Sequence, residues 1–277
     1  MLVYSRYLSR RLFVLLCVLF TGCTVTPYRV EPVHSPNSSP RISSIVLHYT
    51  ALNNQASLDI LTRADSGVSA HYLIPQGCQS SPCPVLRLVE DDQRAWHAGQ
   101  SQWRGQAGLN ASSIGIEIVN LGYPEAEAQL PIEQRKWDEF ETRQIETVAA
   151  LITDLAKRYQ IPPQRILGHS DISPGRKLDP GPRFPWRRLH QTYGVGAWPD
   201  EFEVARVMRL PAPEDALSWQ TALVEYGYAL PITGLWDPVT QQVLRAFQLH
   251  FRADKVDGLP DLESWARLQV LLAQYSR

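Results

Sequence analysis

The chain has no excess of basic residues: 27 Lys and Arg stand against 28 Asp and Glu. That balance excludes the electrostatic footprint of a nucleic-acid-binding protein, which needs clustered cations to meet phosphates. No apolar run approaches the roughly 20 residues that a comfortable transmembrane helix needs. Cysteine is scarce, with four in 277 residues, and Cys17 and Cys23 both lie in the apolar N-terminal stretch or at its end, which leaves Cys78 and Cys83 without the second pair that a four-cysteine zinc site needs. The sequence His-Glu-x-x-His is absent, which removes the helical metalloprotease signature. No internal repeat and no long low-complexity segment stands out. What remains is a chain of ordinary apolar content, 44%, long enough for one large domain or two smaller ones with a sizeable core.

The N-terminus departs from this average. Arg6, Arg10 and Arg11 precede the apolar stretch from Leu12 to Phe20, the pattern of a secretory signal. The stretch runs into Phe20, Thr21, Gly22 and Cys23, similar to the bacterial lipobox, where cleavage precedes a cysteine that becomes lipid-modified. Phe20 stands where that motif usually has an aliphatic residue. Residues 1–22 are therefore expected to be a lipoprotein signal peptide, with Cys23 lipidated and inserted in a bilayer. Thr24 is not the acidic residue of an inner-membrane retention signal, so the expected location is the outer membrane, facing the periplasm. Removing residues 1–22 takes away Arg6, Arg10 and Arg11 and no acid, so 27 basic residues fall to 24 against 28 acidic ones, a formal charge of −4. In such an oxidising compartment Cys78 and Cys83 can form a small-loop disulfide.

Residues 23–40, rich in Pro, Ser and Asn, are expected to be a flexible tether. Short apolar runs predict strands at 43–48, 71–74, 85–89 and 165–169. In 114–119 the apolar residues share one face, and Gly115 and Glu117 share the other. Residues 57–62 read as a short helix. Val148, Leu151, Ile152, Leu155 and Tyr159 recur at helical period, and the spacing predicts a helix over 133–159 stopped by Pro162 and Pro163. Mixed strands and helices predict an α/β domain with a mixed central sheet over 41–198. Pro199, Pro211 and Pro213 mark 199–213 as a linker. Three amphipathic stretches, around Trp219 and Tyr226, Phe247 and Phe251, and Trp265 and Leu268, predict a small three-helix domain over 214–277.

The segment from Gly168 to Gly181 concentrates chemistry: His169, Asp171, Lys177 and Asp179 lie at a strand end and in a Pro- and Gly-rich loop. A catalytic zinc takes three protein ligands and a water. His48, at the end of a strand, can join His169 in such a set. Spacing alone leaves Asp171 and Asp179 both open as the third ligand.

Five separated motifs stand in order across about residues 42–190: VLHYT (46–50), SAHY (69–72), AWHAG (95–99), SIGIEIVN (113–120), and Gly168-His169 continued by KLDPGP (177–182). Together, and in this order, they resemble the type 2 N-acetylmuramoyl-L-alanine amidases. The resemblance implies one zinc ion per chain held by His48, His169 and Asp179, with Glu117 as general base and Lys177 as electrostatic stabiliser. It implies hydrolysis of the amide between N-acetylmuramic acid and L-alanine of the peptidoglycan stem peptide. It places His71, Trp96 and His97 beside the substrate groove. Members of this fold that lack a complete zinc set bind peptidoglycan without cutting it, which is the alternative reading. The lipobox and C-terminal extension are similar to those of outer-membrane lipoprotein members of the family. The C-terminal unit resembles the type 1 peptidoglycan-binding domain through Tyr226-Gly227, GLWD (234–237), Thr240, Phe247-Gln248 and VDG (256–258). Peptidoglycan is thus the expected partner, and a monomer the expected state. Asp171 is expected to fix the loop. His34, His190 and His250 lie outside every motif and are expected on the surface.

Overall fold

The computed structural model describes residues 28–275, so the signal segment and Cys23 lie outside the described residues. Residues 28–40, expected as a tether, form no helix or strand and are exposed. From Pro40 onward the chain is one compact unit.

The strands appear in the expected order. In β1 (Ser44–Tyr49), Ile45, Val46 and Leu47 are fully buried, as a strand covered on both faces requires. It is followed by α1 (Asn54–Thr62), whose first turn is capped by Asn53 accepting from the Ala56 N–H. Then come β2 (Tyr72–Ile74), β3 (Leu86–Arg87), a two-stranded hairpin of β4 (Gln102–Trp103) and β5 (Gln106–Ala107), and β6 (Ser113–Ile118). After α2 (Thr142–Tyr159) come β7 (Ile166–Gly168) and the one-turn helix α3 (His169–Ile172). The sheet order is β3-β2-β6-β1-β7, parallel throughout except for β2 against β3. This is the mixed α/β domain read from the sequence.

The register decides where the site forms. His48 is paired with Glu117, and Leu47 with Gly168, one residue before His169. Three parallel strands therefore end together with His48, Glu117 and His169 at their carboxyl edge, the edge where α/β sheets bind ligands. Period two sorts the faces of β6. Ile114, Ile116 and Ile118 are buried together with Ile145, Val148, Ile152 and Leu155 of α2 in one apolar core, while Ser113, Gly115 and Glu117 face the other way.

The helix expected over 133–159 begins only at Thr142. Residues 135–139 spend their polar groups elsewhere. The Arg135 guanidinium donates to the Ala128 and Leu130 carbonyls, the Trp137 indole to the Ile132 carbonyl, and the Asp138 N–H to the Gly122 carbonyl. These bonds shape a loop beside the groove.

The sequence reading missed α4 (Trp186–Tyr193). The stretch expected as a linker is also corrected. It contains α5 (Glu201–Val207), capped by Asp200 accepting from the Phe202 and Glu203 N–H groups. Val204 packs there with buried Ala266 and Val270. The three expected C-terminal helices are α6 (Ala216–Tyr226), α7 (Pro238–Phe251) and α8 (Leu262–Tyr275). Their apolar faces join the core of the α/β domain without a break, through Trp103, Tyr226, Tyr228 and Phe247.

The expectation of no internal repeat is corrected as well. Thr233–Thr240 (TGLWDPVT) and Asp257–Ser264 (DGLPDLES) are two copies of one turn. In each, the Asp caps the next helix, Asp237 for the Thr240 N–H and Asp261 for the Ser264 N–H. In each, a buried glutamine of the preceding helix clips the turn. Gln220 accepts from the Gly234 N–H and donates to the Leu235 carbonyl, and Gln248 accepts from the Gly258 N–H and donates to the Leu259 carbonyl.

Candidate metal centre and substrate groove

Three acceptor atoms converge at the strand ends. His48 Nδ1 lies 2.9 Å from His169 Nδ1 and 2.9 Å from Asp179 Oδ2, and the last two are 3.0 Å apart. All three residues are buried.

Their protons can be placed by following the outer partners. The Ser113 hydroxyl donates to the Leu109 carbonyl at 2.6 Å, so its oxygen accepts from His97 Nε2 at 3.2 Å. His97 Nδ1 is then an acceptor, and it takes the Nε2–H of His48 at 3.0 Å. His169 Nε2 lies 3.1 Å from the Ala98 carbonyl and 3.3 Å from Arg176 Nη2; the carbonyl can only accept, and this shorter contact makes Nε2 the donor. Both imidazoles therefore aim an Nδ1 lone pair at the Asp179 carboxylate. Three lone pairs meeting with no donor between them repel one another unless a cation sits among them. Outer bonds of this kind fix the tautomer and orientation of metal-ligating histidines.

The electrostatics agree. Burial, and then the neighbouring His169, push the His48 imidazolium down to about 4. In the metal-free protein a proton on an Nδ1 takes the place of that cation: burial by itself opposes ionisation of Asp179, but the hydrogen bonds and charge that a protonated His169 or His48 supplies outweigh it and hold the carboxyl well below its usual range. Two neutral nitrogens and one carboxylate oxygen form a donor set suited to a divalent cation such as zinc. Among the described residues, His48, His169 and Asp179 form the group able to hold a metal ion.

Beside them Glu117 is half-buried, and its buried Oε2 has no hydrogen-bond partner. Burial, reinforced by the Asp179 charge and opposed by Lys177, pushes its carboxyl up to about 8. A cavity of about 460 Å³ opens over the four residues, with Leu52, Ile60, Val68 and Trp96 among its apolar lining and Arg176 and Lys177 supplying cations. Lys177 and Leu178 also border a second cleft, which runs between 129–135 and α7.

Trp96 lines the cavity and is 51% exposed, with the Arg94 guanidinium over its ring. His97 lines it too, but its ring is committed to His48 and Ser113. His71 is not brought to the groove. It is buried, with Nδ1 accepting from the Gly115 N–H at 2.9 Å and Nε2 donating to the Gln93 carbonyl. Asp171 points away from the acceptor cluster, as a loop-fixing acid would. His250, expected on the surface, is buried, and its Nδ1 donates to Asp171. The sequence reading also missed Arg176, which donates to the Ala98 and Gln100 carbonyls beside His169. Its place one residue before Lys177 was the available signal.

Gly115 makes room for this arrangement. A Cβ there would stand 2.3 Å from Cγ of His97. Gly115→Ala is expected to displace His97, lower stability by about 1–3 kcal/mol through overpacking, and weaken divalent-metal binding through His48. A thermal melt and a metal titration check both effects.

Residues 38–182 match the family described as N-acetylmuramoyl-L-alanine amidase, and residues 213–268 match a family of peptidoglycan binding domains. The N-acetylmuramoyl-L-alanine amidase AmiD of Escherichia coli K12 is 39% identical over 243 residues, which cover 86% of this chain and 85% of AmiD. The chain belongs to the N-acetylmuramoyl-L-alanine amidase family. The solved complex of E. coli AmiD with anhydro-N-acetylmuramic acid-L-Ala-D-γ-Glu-L-Lys superposes with a TM-score of 0.80 at 37% identity, covering 88% of this chain and 93% of AmiD. AMPDH3 from Pseudomonas aeruginosa superposes with a TM-score of 0.79 at 36% identity, covering 91% of this chain and all of that one. Both structures cover the C-terminal helices as well as the α/β domain, so the likeness extends over both parts of the chain.

Proposed function

We propose that this amidase is zinc-dependent and cleaves the bond between the lactyl group of N-acetylmuramic acid and the L-alanine of the stem peptide. The observation that carries the reading is the convergence of His48, His169 and Asp179 lone pairs next to the unpartnered carboxylate of Glu117. Zinc bound there would supply Lewis acidity, lowering the pKa of a water and polarising the amide carbonyl.

The chain's own residues do the rest. Glu117 Oε2 accepts the proton of the attacking water and delivers it to the departing alanine nitrogen. Burial raises the proton affinity of this carboxyl, and a cation at the neighbouring acceptor atoms would lower it again, toward the range in which it can both take and return a proton near neutral pH. The Lys177 ammonium opposes the negative charge that develops on the carbonyl oxygen. The apolar wall at Leu52, Ile60, Val68 and Trp96 excludes water from one side, while Arg176 and Lys177 suit the carboxylates of a stem peptide. The substrate named in the AmiD complex, with its free γ-linked glutamate carboxylate, has that chemistry.

Mass spectrometry of products from defined muropeptides tests the assignment. Free stem peptide with an intact L-alanine amine is the expected product. Cleavage within the peptide, or no cleavage by the zinc-loaded protein, overturns the reading.

We also propose that Cys23 is lipidated, that the enzyme faces the periplasm from the outer membrane, and that the C-terminal helices bind peptidoglycan. The lipobox-like segment and the bond between Cys78 and Cys83, a pairing typical of oxidising compartments, support this setting. Cys23→Ser is expected to abolish incorporation of labelled palmitate in cells and to release the protein from the membrane fraction. Unchanged labelling would refute the anchor.

A further inference from the structure

The carboxylate of Asp171 ties the C-terminal helices to the metal centre. It is 1% exposed and accepts three hydrogen bonds. Tyr228 Oη–H donates to Oδ1 at 2.6 Å, His250 Nδ1–H donates to Oδ2 at 2.7 Å, and the Gly168 N–H donates to Oδ2 at 2.7 Å. Tyr228 follows α6 and His250 lies on α7, 57 and 79 residues beyond Asp171. The His250 ring is fixed in turn, stacked on Trp186 at 3.7 Å and on Phe251 at 3.9 Å between ring centres. With Nδ1 as the donor to Asp171, Nε2 is left without a hydrogen-bond partner.

Asp171 sits on α3, whose first residue is His169. A helix of one turn has no stability of its own, because fixing its first turn costs more than its single hydrogen bonds return. Its shape must be imposed from outside. The Asp171 carboxylate does this by closing the turn onto Gly168, and the Ser170 N–H adds a bond to the Asp179 carbonyl at 2.9 Å. Without Tyr228 and His250, the carboxylate would be buried with one donor instead of three. It would have to turn toward water, releasing Gly168 and the start of α3.

We propose that Tyr228 and His250 are positioning residues for the metal centre: through Asp171 they orient α3 and thereby the His169 ring. The C-terminal unit is then a structural part of the amidase site in addition to any contact it makes with the wall. This rests on the zinc reading above.

The test uses the mature full-length chain and three measurements: zinc affinity by competition with a chromophoric chelator, kcat and KM on a soluble muropeptide, and the thermal midpoint. Tyr228→Phe removes only the hydroxyl. His250→Phe keeps the stack and removes the donor, and His250→Asn restores an amide donor near the place of Nδ1. Leu268→Ala, a fully buried change in α8 away from Asp171, controls for simple destabilisation.

Y228F and H250F are expected to bind zinc roughly tenfold more weakly, the usual effect of losing an outer partner. Their kcat falls while KM stays within about twofold, and H250N recovers most of the affinity. L268A lowers the midpoint but leaves the zinc affinity of the folded protein unchanged. The proposal is overturned if Y228F and H250F match the parent in zinc affinity, or if L268A weakens it as much as they do. A parental chain that takes up no zinc overturns the zinc reading and this proposal together.

Discussion

Glu117→Gln is expected to lower kcat by about 10²- to 10⁴-fold, the range associated with a positioned general acid–base group, with KM little changed. The amide is nearly isosteric but cannot accept and return a proton. Its effect on stability should run the other way. In the metal-free protein, burial pushes the Glu117 carboxyl up to about 8, above the ordinary glutamate value. A group shifted upward contributes its stability in the protonated form. That contribution is complete at pH values below the ordinary glutamate pKa and is lost as pH rises through about 8. The variant has no such loss. Metal-free E117Q should therefore melt higher than the metal-free parent, by a margin that widens from mildly acidic to mildly alkaline pH. Paired melts across that range, with kcat measured on the metal-loaded forms, check both halves. Full activity in E117Q would remove Glu117 from the mechanism.

Withdrawing the metal should abolish turnover and loosen the fold at the same time. A ligand present at a thousandfold excess over its dissociation constant stabilises the native state by about 4 kcal/mol. In a domain of this size about 1 kcal/mol shifts the midpoint by roughly 2–4 °C, so chelation should lower it by about 8–16 °C. Readdition of zinc should restore both activity and midpoint. Asp179→Ala should imitate the chelated state and resist rescue, because it removes one of the three converging lone pairs. It should also flatten the acid limb of the stability curve. In the parent, the Asp179 carboxyl is held well below its usual range, so its contribution is present above the ordinary aspartate pKa and is lost as pH falls below it. Melts of the parent and D179A in chelator between acidic and neutral pH measure that difference. An unchanged midpoint on chelation, with activity intact, would exclude a metal from this site.

The strand ends were legible because their signal is local. The period of residues 114–119 put Gly115 and Glu117 on the face opposite the isoleucines, and β6 keeps that division. The third acid was not legible from spacing, since Asp171 and Asp179 share one loop. The resemblance selected Asp179, and the structure turns its carboxylate to His48 and His169 while Asp171 faces α7. His250 was unreadable for a related reason. A histidine on an amphipathic helix looks solvated until its partner is known, and that partner lies 79 residues away. Helix α5 was hidden by reading Pro199 as a linker signal, although Asp200 immediately after it is a good helix cap. The start of α2 was misplaced because the acids and bases at 133–141 fit a helix surface as well as they fit the loop they form. The repeated turn shares only Gly, Leu and Asp at corresponding places, too little to stand out before the two glutamine clips reveal the common geometry.

Those clips bear on motion. Gly234 and Gly258 sit in loops, where backbone amides usually exchange with solvent deuterium within seconds. Each instead donates to a buried glutamine carbonyl, Gly234 to Gln220 at 2.8 Å and Gly258 to Gln248 at 2.7 Å. Opening either turn requires the amide of a packed helix to give up its partners at once, so these two amides should exchange on the timescale on which the helices themselves open.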